Sequence, residues 1–180
     1  MKTMNLPNKL TILRILLVPF IILCFYLPPR WGMWVAVVLF VVAAATDTID
    51  GRYARAHDQV TDFGKFMDPI ADKLLVNSVL VMLTAQGKVP PVVTILFIAR
   101  EFVISGLRLV AAGKGVVLAA GNLGKIKTTL QDIALPFLMV GHVWKLFRIV
   151  GLILLYASLL MSVWSGWDYL YKNRALIAQE

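Results

Sequence analysis

The sequence predicts an all-α integral membrane protein, one bundle of six transmembrane helices forming a single domain over residues 1–180. An apolar excess, its division into blocks, and a one-sided distribution of basic residues carry that expectation. Of the 180 residues 59% are hydrophobic and 16% charged, and the mean hydropathy is +0.79. A soluble domain holds nearer half apolar and a quarter charged residues. Uncharged runs cover Ile15 to Pro29, Trp31 to Thr46, Leu74 to Gly87, Val89 to Ala99, Ile133 to Trp144 and Ile149 to Trp167. The last approaches the ~20 apolar residues that span a bilayer unaided. The others are shorter, so a charged helix end must complete each span.

Helix one opens at Asn5-Leu6-Pro7, where a proline's missing donor costs nothing, and Pro19 is expected to bend it. Pro28-Pro29 breaks the chain before helix two, and Gly87 with Pro90-Pro91 breaks it before helix four. Gly64 is expected to turn the chain into helix three. Gly113, Gly115, Gly121 and Gly124 predict a loose or kinked approach to helix five. Trp31, Trp34, Trp144, Trp164 and Trp167 sit near run ends, as interfacial aromatics do. Lys2 and Lys9 precede an apolar run without a small-residue cleavage site, so no signal peptide is expected. The single Cys24 supports neither a disulfide framework nor a metal site.

The formal net charge is +8, and its placement argues for a membrane rather than nucleic acid. If six runs alternate across the bilayer, fourteen of the eighteen Lys and Arg residues share the side of both termini. Arg30, Lys88, Lys145 and Arg148 remain opposite. That bias predicts cytoplasmic termini, with the basic side facing anionic lipid.

Six of the ten acidic residues fall within 47–73, which reads DTIDGRYARAHDQVTDFGKFMDPIADK. Asp47 and Asp50 end helix two, and Asp68 and Asp72 begin helix three, so spacings of three and four put each pair on one helix face. Two such helices face to face bring four carboxylates to one point at their cytoplasmic ends, a costly arrangement without counter-charge. Two divalent cations, Mg²⁺ or Mn²⁺, prefer oxygen ligands and offset four negative charges. A paired-metal centre suits displacement at phosphorus. Gly51 lets a ligand approach the backbone, and Arg55, one turn on, can fork onto phosphate oxygens. Asp58 and Asp62 read as loop carboxylates, and His57 as an interfacial side chain.

The stretch resembles the signature of the CDP-alcohol phosphatidyltransferases, D-x2-D-G-x2-A-R-x8-G-x3-D-x3-D. Asp47, Asp50, Gly51, Ala54, Arg55, Gly64, Asp68 and Asp72 fill all eight fixed positions, a match expected by chance at about 10⁻¹⁰ per starting point. The resemblance implies that Asp47, Asp50, Asp68 and Asp72 hold the two metals and that Asp72 also serves as catalytic general base. It implies that Gly51, Arg55 and Thr61 contact CDP-diacylglycerol, with Asn8, Thr11 and Arg14 of helix one approaching the nucleotide. It further implies a multi-pass protein of the inner (cytoplasmic) membrane, and a homodimer.

The flanks NLPNKLTILRILLVPF, REFVISGLRLVAA and LGKIKT resemble bacterial members of that family whose acceptor is sn-glycerol 3-phosphate. A phosphorylated acceptor needs cations, and Arg100, Arg108, Lys125 and Lys127 lie on the cytoplasmic side near helices four and five, together with Lys114. Arg100 and Arg108 are about two helical turns apart and share a face, and Glu101 can pair with one of them. Serine, inositol phosphate or phosphatidylglycerol as acceptor is the nearer rival expectation. A divalent-cation transporter is the remoter one: intramembrane carboxylates can mark ion pathways, but here the acids share one face and Lys88, Lys145 and Arg148 would repel cations at the other.

Overall fold

The computed structural model describes residues 5–56, 62–114, 116 and 122–174. Among them six helices follow one another: α1 (Leu6–Cys24), α2 (Pro29–Ala56), α3 (Asp62–Ala85), α4 (Pro91–Gly113), α5 (Asn122–Met139) and α6 (Lys145–Lys172). The prolines act largely as expected. Pro7 lies in the first turn of α1, Pro29 begins α2, and Pro90 caps α4 with an extended backbone. Gly87 closes the turn from α3 to α4 at φ +67°, a left-handed conformation that a side chain disfavours.

Three expectations need correction. Gly64 lies buried inside the first turn of α3 rather than turning the chain ahead of it. Gly124 lies inside α5, whose described start is Asn122. The apolar run ending at Trp144 does not end as helix: α5 stops at Met139, and the amide of Val143 donates to the Val140 carbonyl at 2.9 Å to close a turn. α1 continues through Pro19.

The helices pack in two groups. α1 lies against α2 and α3, α5 lies along α6, and α4 leans mainly on α6. Ile21, Met33, Phe40, Leu80, Leu135 and Leu155 fill the centre and are almost wholly buried. The exterior, rather than the centre, departs from that of a water-soluble bundle. Phe20, Val38, Ile95, Phe102, Leu160 and Trp164 are exposed on the outside, while Thr11, Arg14, Gln131, Ser158 and Ser162 are buried within. So continuous an apolar exterior is a liability in water. Among the described residues α2 over Pro29–Thr46 and α6 over Lys145–Lys172 are long and apolar enough to cross a membrane. In such a solvent close packing, rather than transfer from water, holds helices together.

Candidate active site

The amino-terminal half of the site is built on the inner face of α1. Asn8, Thr11 and Arg14 recur at a spacing of three and are all buried. The Thr11 hydroxyl donates to Asp68 Oδ1 of α3 at 2.5 Å. Arg14 Nε donates to the Ala43 carbonyl of α2 at 3.2 Å, one helical turn before Asp47. These two bonds tie α1 to both helices of the signature and orient one of its carboxylates. Helix α2 carries Asp47, Asp50, Gly51 and Arg55 in its last turns; their side chains lie outside the described residues, as do all of Thr61, His57 and Asp58. Asp68 and Asp72 are half-buried on α3, and Asp72 borders a cleft between α3 and the later helices.

That cleft has a volume of about 590 Å³ and is walled by α3, α4, α5 and α6. All four candidate acceptor residues, Arg100, Arg108, Lys125 and Lys127, line it together with Asp72. Lys114 terminates α4 and is not part of the wall. Six cations and four carboxylates border the space. Their pairing is uneven. Glu101 alone engages three of the cations: Lys73 at 3.4 Å, Arg100 at 3.2 Å, and Lys127 in a close contact. Lys127 is only 5% exposed and also lies over the Phe97 ring at 5.7 Å. One carboxylate cannot neutralise three cations, so the walls keep an excess of positive charge. An excess of that kind, beside a half-buried carboxylate, suits an anionic ligand that carries a proton to be removed.

The sequence reading missed the contribution of α6. Ser158, Ser162, Ser165, Tyr169 and Lys172 recur at spacings of four and three along a helix that is otherwise apolar. Ser158 donates to the Lys127 carbonyl at 2.9 Å. Arg100 donates through Nε to the Ser162 carbonyl at 3.3 Å and through Nη2 to Ser165 Oγ at 2.9 Å. Arg108 Nε donates to the Tyr169 hydroxyl at 3.2 Å. The periodic polar stripe was the available signal, diluted by the apolar residues around it. Lys73, Asn77 and Gln131 also line the cleft without having been singled out.

The donor set suits hard divalent cations. The spacings in α2 and α3 supply four carboxylates, and Asp68 is aimed by a buried hydroxyl, so the atoms on offer are oxygens. Among the described residues no three such side chains form a metal-binding group, the carboxylates of Asp47 and Asp50 lying outside that set.

The family model described as CDP-alcohol phosphatidyltransferase matches residues 4–164. Among similar proteins is the CDP-diacylglycerol–glycerol-3-phosphate 3-phosphatidyltransferase of Bacillus subtilis, 41% identical over 94% of this chain and 95% of its own length. Proteins of the same name from Rickettsia felis and Shigella flexneri are 42% and 40% identical, covering 92% and 95% of this chain and 93% and 96% of their own. With a match across most of its length, the chain belongs to the CDP-alcohol phosphatidyltransferase family.

Proposed function

We propose that the protein transfers the phosphatidyl group of CDP-diacylglycerol to sn-glycerol 3-phosphate, giving phosphatidylglycerophosphate and CMP. The observation that carries this reading is the cationic cleft beside Asp72, in which six cations face four carboxylates and Glu101 is shared by three of them. Serine, a zwitterion of zero net charge, has no phosphate to satisfy such walls. The relatives' shared name supports the same acceptor.

The residues divide the reaction between a CDP-lipid side and an acceptor side, which meet at Asp72. Asn8, Gly51, Arg55 and Thr61 hold the CDP-lipid; Asp47, Asp50, Asp68 and Asp72 hold two divalent cations, Mg²⁺ or Mn²⁺. When bound, those ions supply charge neutralisation at the diphosphate oxygens. Thr11 keeps Asp68 turned toward that side. Arg100, Arg108, Lys125 and Lys127 receive the acceptor phosphate. Asp72 takes the proton of the attacking glycerol hydroxyl as its oxygen bonds to the phosphorus bearing diacylglycerol, and the bond from that phosphorus to the CMP oxygen breaks. Arg55 offsets the charge left on CMP. Positioning and electrostatics account for most of the acceleration in such transfers.

The same proposal sets the protein in the inner membrane with six spans, both termini and the site at the cytoplasmic face, and acyl chains left in lipid. The same reading includes a homodimer, as the family resemblance implies. Radiolabelled CDP-diacylglycerol offered with glycerol 3-phosphate, serine, inositol phosphate and phosphatidylglycerol in turn tests the acceptor. Product is expected with glycerol 3-phosphate alone, after chelation is reversed by Mg²⁺ or Mn²⁺. Turnover with another acceptor and none with this one would sink the assignment.

A further inference from the structure

We propose that Tyr169 is a positioning residue that aims Arg108 at the acceptor phosphate, making the last turns of α6 a working part of the acceptor site. The inference rests on the reading of the cleft given above. Tyr169 lies beyond the 4–164 segment that the family model matches, and Arg108 within it.

The cations of the cleft differ in what holds them. Lys73, Arg100 and Lys127 share the charge of Glu101, and Lys172 pairs with Asp168 at 2.8 Å. Arg108 is held without a carboxylate. Its Nε donates to the Tyr169 hydroxyl at 3.2 Å, and its guanidinium carbon stands 5.6 Å from the centre of the same ring. Among the described residues its two Nη groups have no partner. A neutral partner that grips one edge of a guanidinium fixes its direction and leaves its full charge in place. The remaining N–H groups are then preset for a bidentate approach to phosphate oxygens. A carboxylate at the same place would orient Arg108 equally well, but it would compete with the ligand. Asp168 precedes Tyr169 in the chain and is engaged with Lys172, one turn on.

Steady-state kinetics of the full-length protein in mixed micelles test this. Tyr169→Phe keeps the ring and loses the hydroxyl. It should raise KM for glycerol 3-phosphate ~5-fold, the worth of one hydrogen bond, with kcat and KM for CDP-diacylglycerol within about twofold. Tyr169→Leu also removes the ring and should raise that KM roughly 20-fold. Arg108→Ala combined with Tyr169→Phe should be no worse than Arg108→Ala alone, because the tyrosine acts through the arginine. A raised KM in Arg108→Ala with an unchanged KM in Tyr169→Phe would overturn the inference and leave the acceptor reading standing. So would additive losses in the double variant. An unchanged KM in Arg108→Ala itself would overturn both. The phenylalanine variant preserves packing, so the test does not depend on the leucine variant folding.

Discussion

Asp68 and Asp72 stand one turn apart on α3 and meet different neighbours. The first accepts from Thr11 of α1, and the second borders the cleft. The family resemblance gives both a place at the metals and gives Asp72 alone the base role. Asp72→Asn keeps the shape and one oxygen but cannot take a proton. Turnover should fall by roughly 10²–10⁴, the usual contribution of a general base, while CDP-diacylglycerol binding, read by equilibrium titration, persists. Near-normal turnover would remove the base assignment. At this scale the sequence was legible where helical spacing fixes a position, as in Arg100 and Arg108, which both line the cleft. It was less legible where a residue's role depends on a neighbour distant in the chain. Arg100 and Arg108 share a face and look equivalent in sequence. In the fold Arg100 is bound by Glu101, Ser162 and Ser165, while Arg108 meets only the neutral Tyr169 among the described residues.

The helices themselves were foreseen in number and order, and least well at their ends. The charged ends expected to complete the spans are present: α2 runs on past Thr46 to Ala56, and α3 begins at Asp62, well before Leu74. Hydropathy marks where a helix meets lipid, not where it stops. It therefore hid the polar stripe of α6 and carried the fifth run past Met139 into a turn. Packing sets a second constraint that hydropathy does not show. A Cβ placed on Gly151 of α6 would come within 2.9–3.1 Å of Leu138 of α5, including its backbone nitrogen. These two helices form the most extensive contact in the bundle and carry Lys125, Lys127 and Tyr169. Gly151→Val should destabilise the protein by about 1–3 kcal/mol through overpacking, read as a lower thermal unfolding midpoint in detergent. Glycerol 3-phosphate should then lose affinity along with stability, since one interface positions both walls. An unchanged midpoint would mean that α5 and α6 can separate at no cost.

On the scale of the whole molecule, charge asymmetry and helix length make one joint prediction. A helix of 28 residues is roughly 42 Å long, against a hydrocarbon core of about 30 Å, so an α6 that crosses the bilayer puts its two ends on opposite sides. If six spans alternate, fourteen basic residues against four predict a cytoplasmic carboxyl end, the side on which the proposed reaction needs the cleft, Asp72 and the soluble acceptor to meet. Orientation and chemistry are therefore not independent: a reversed protein would open its acceptor cleft away from the glycerol 3-phosphate pool. Cys24 is buried, and replacing it by serine leaves a background for single cysteines. In right-side-out vesicles a membrane-impermeant maleimide should label Lys145→Cys and spare Arg174→Cys, and inside-out vesicles should reverse the pattern. Labelling of both from one side would refute a spanning α6. Labelling of Arg174→Cys from outside would place the cationic cleft on the wrong face of the membrane for the proposed reaction.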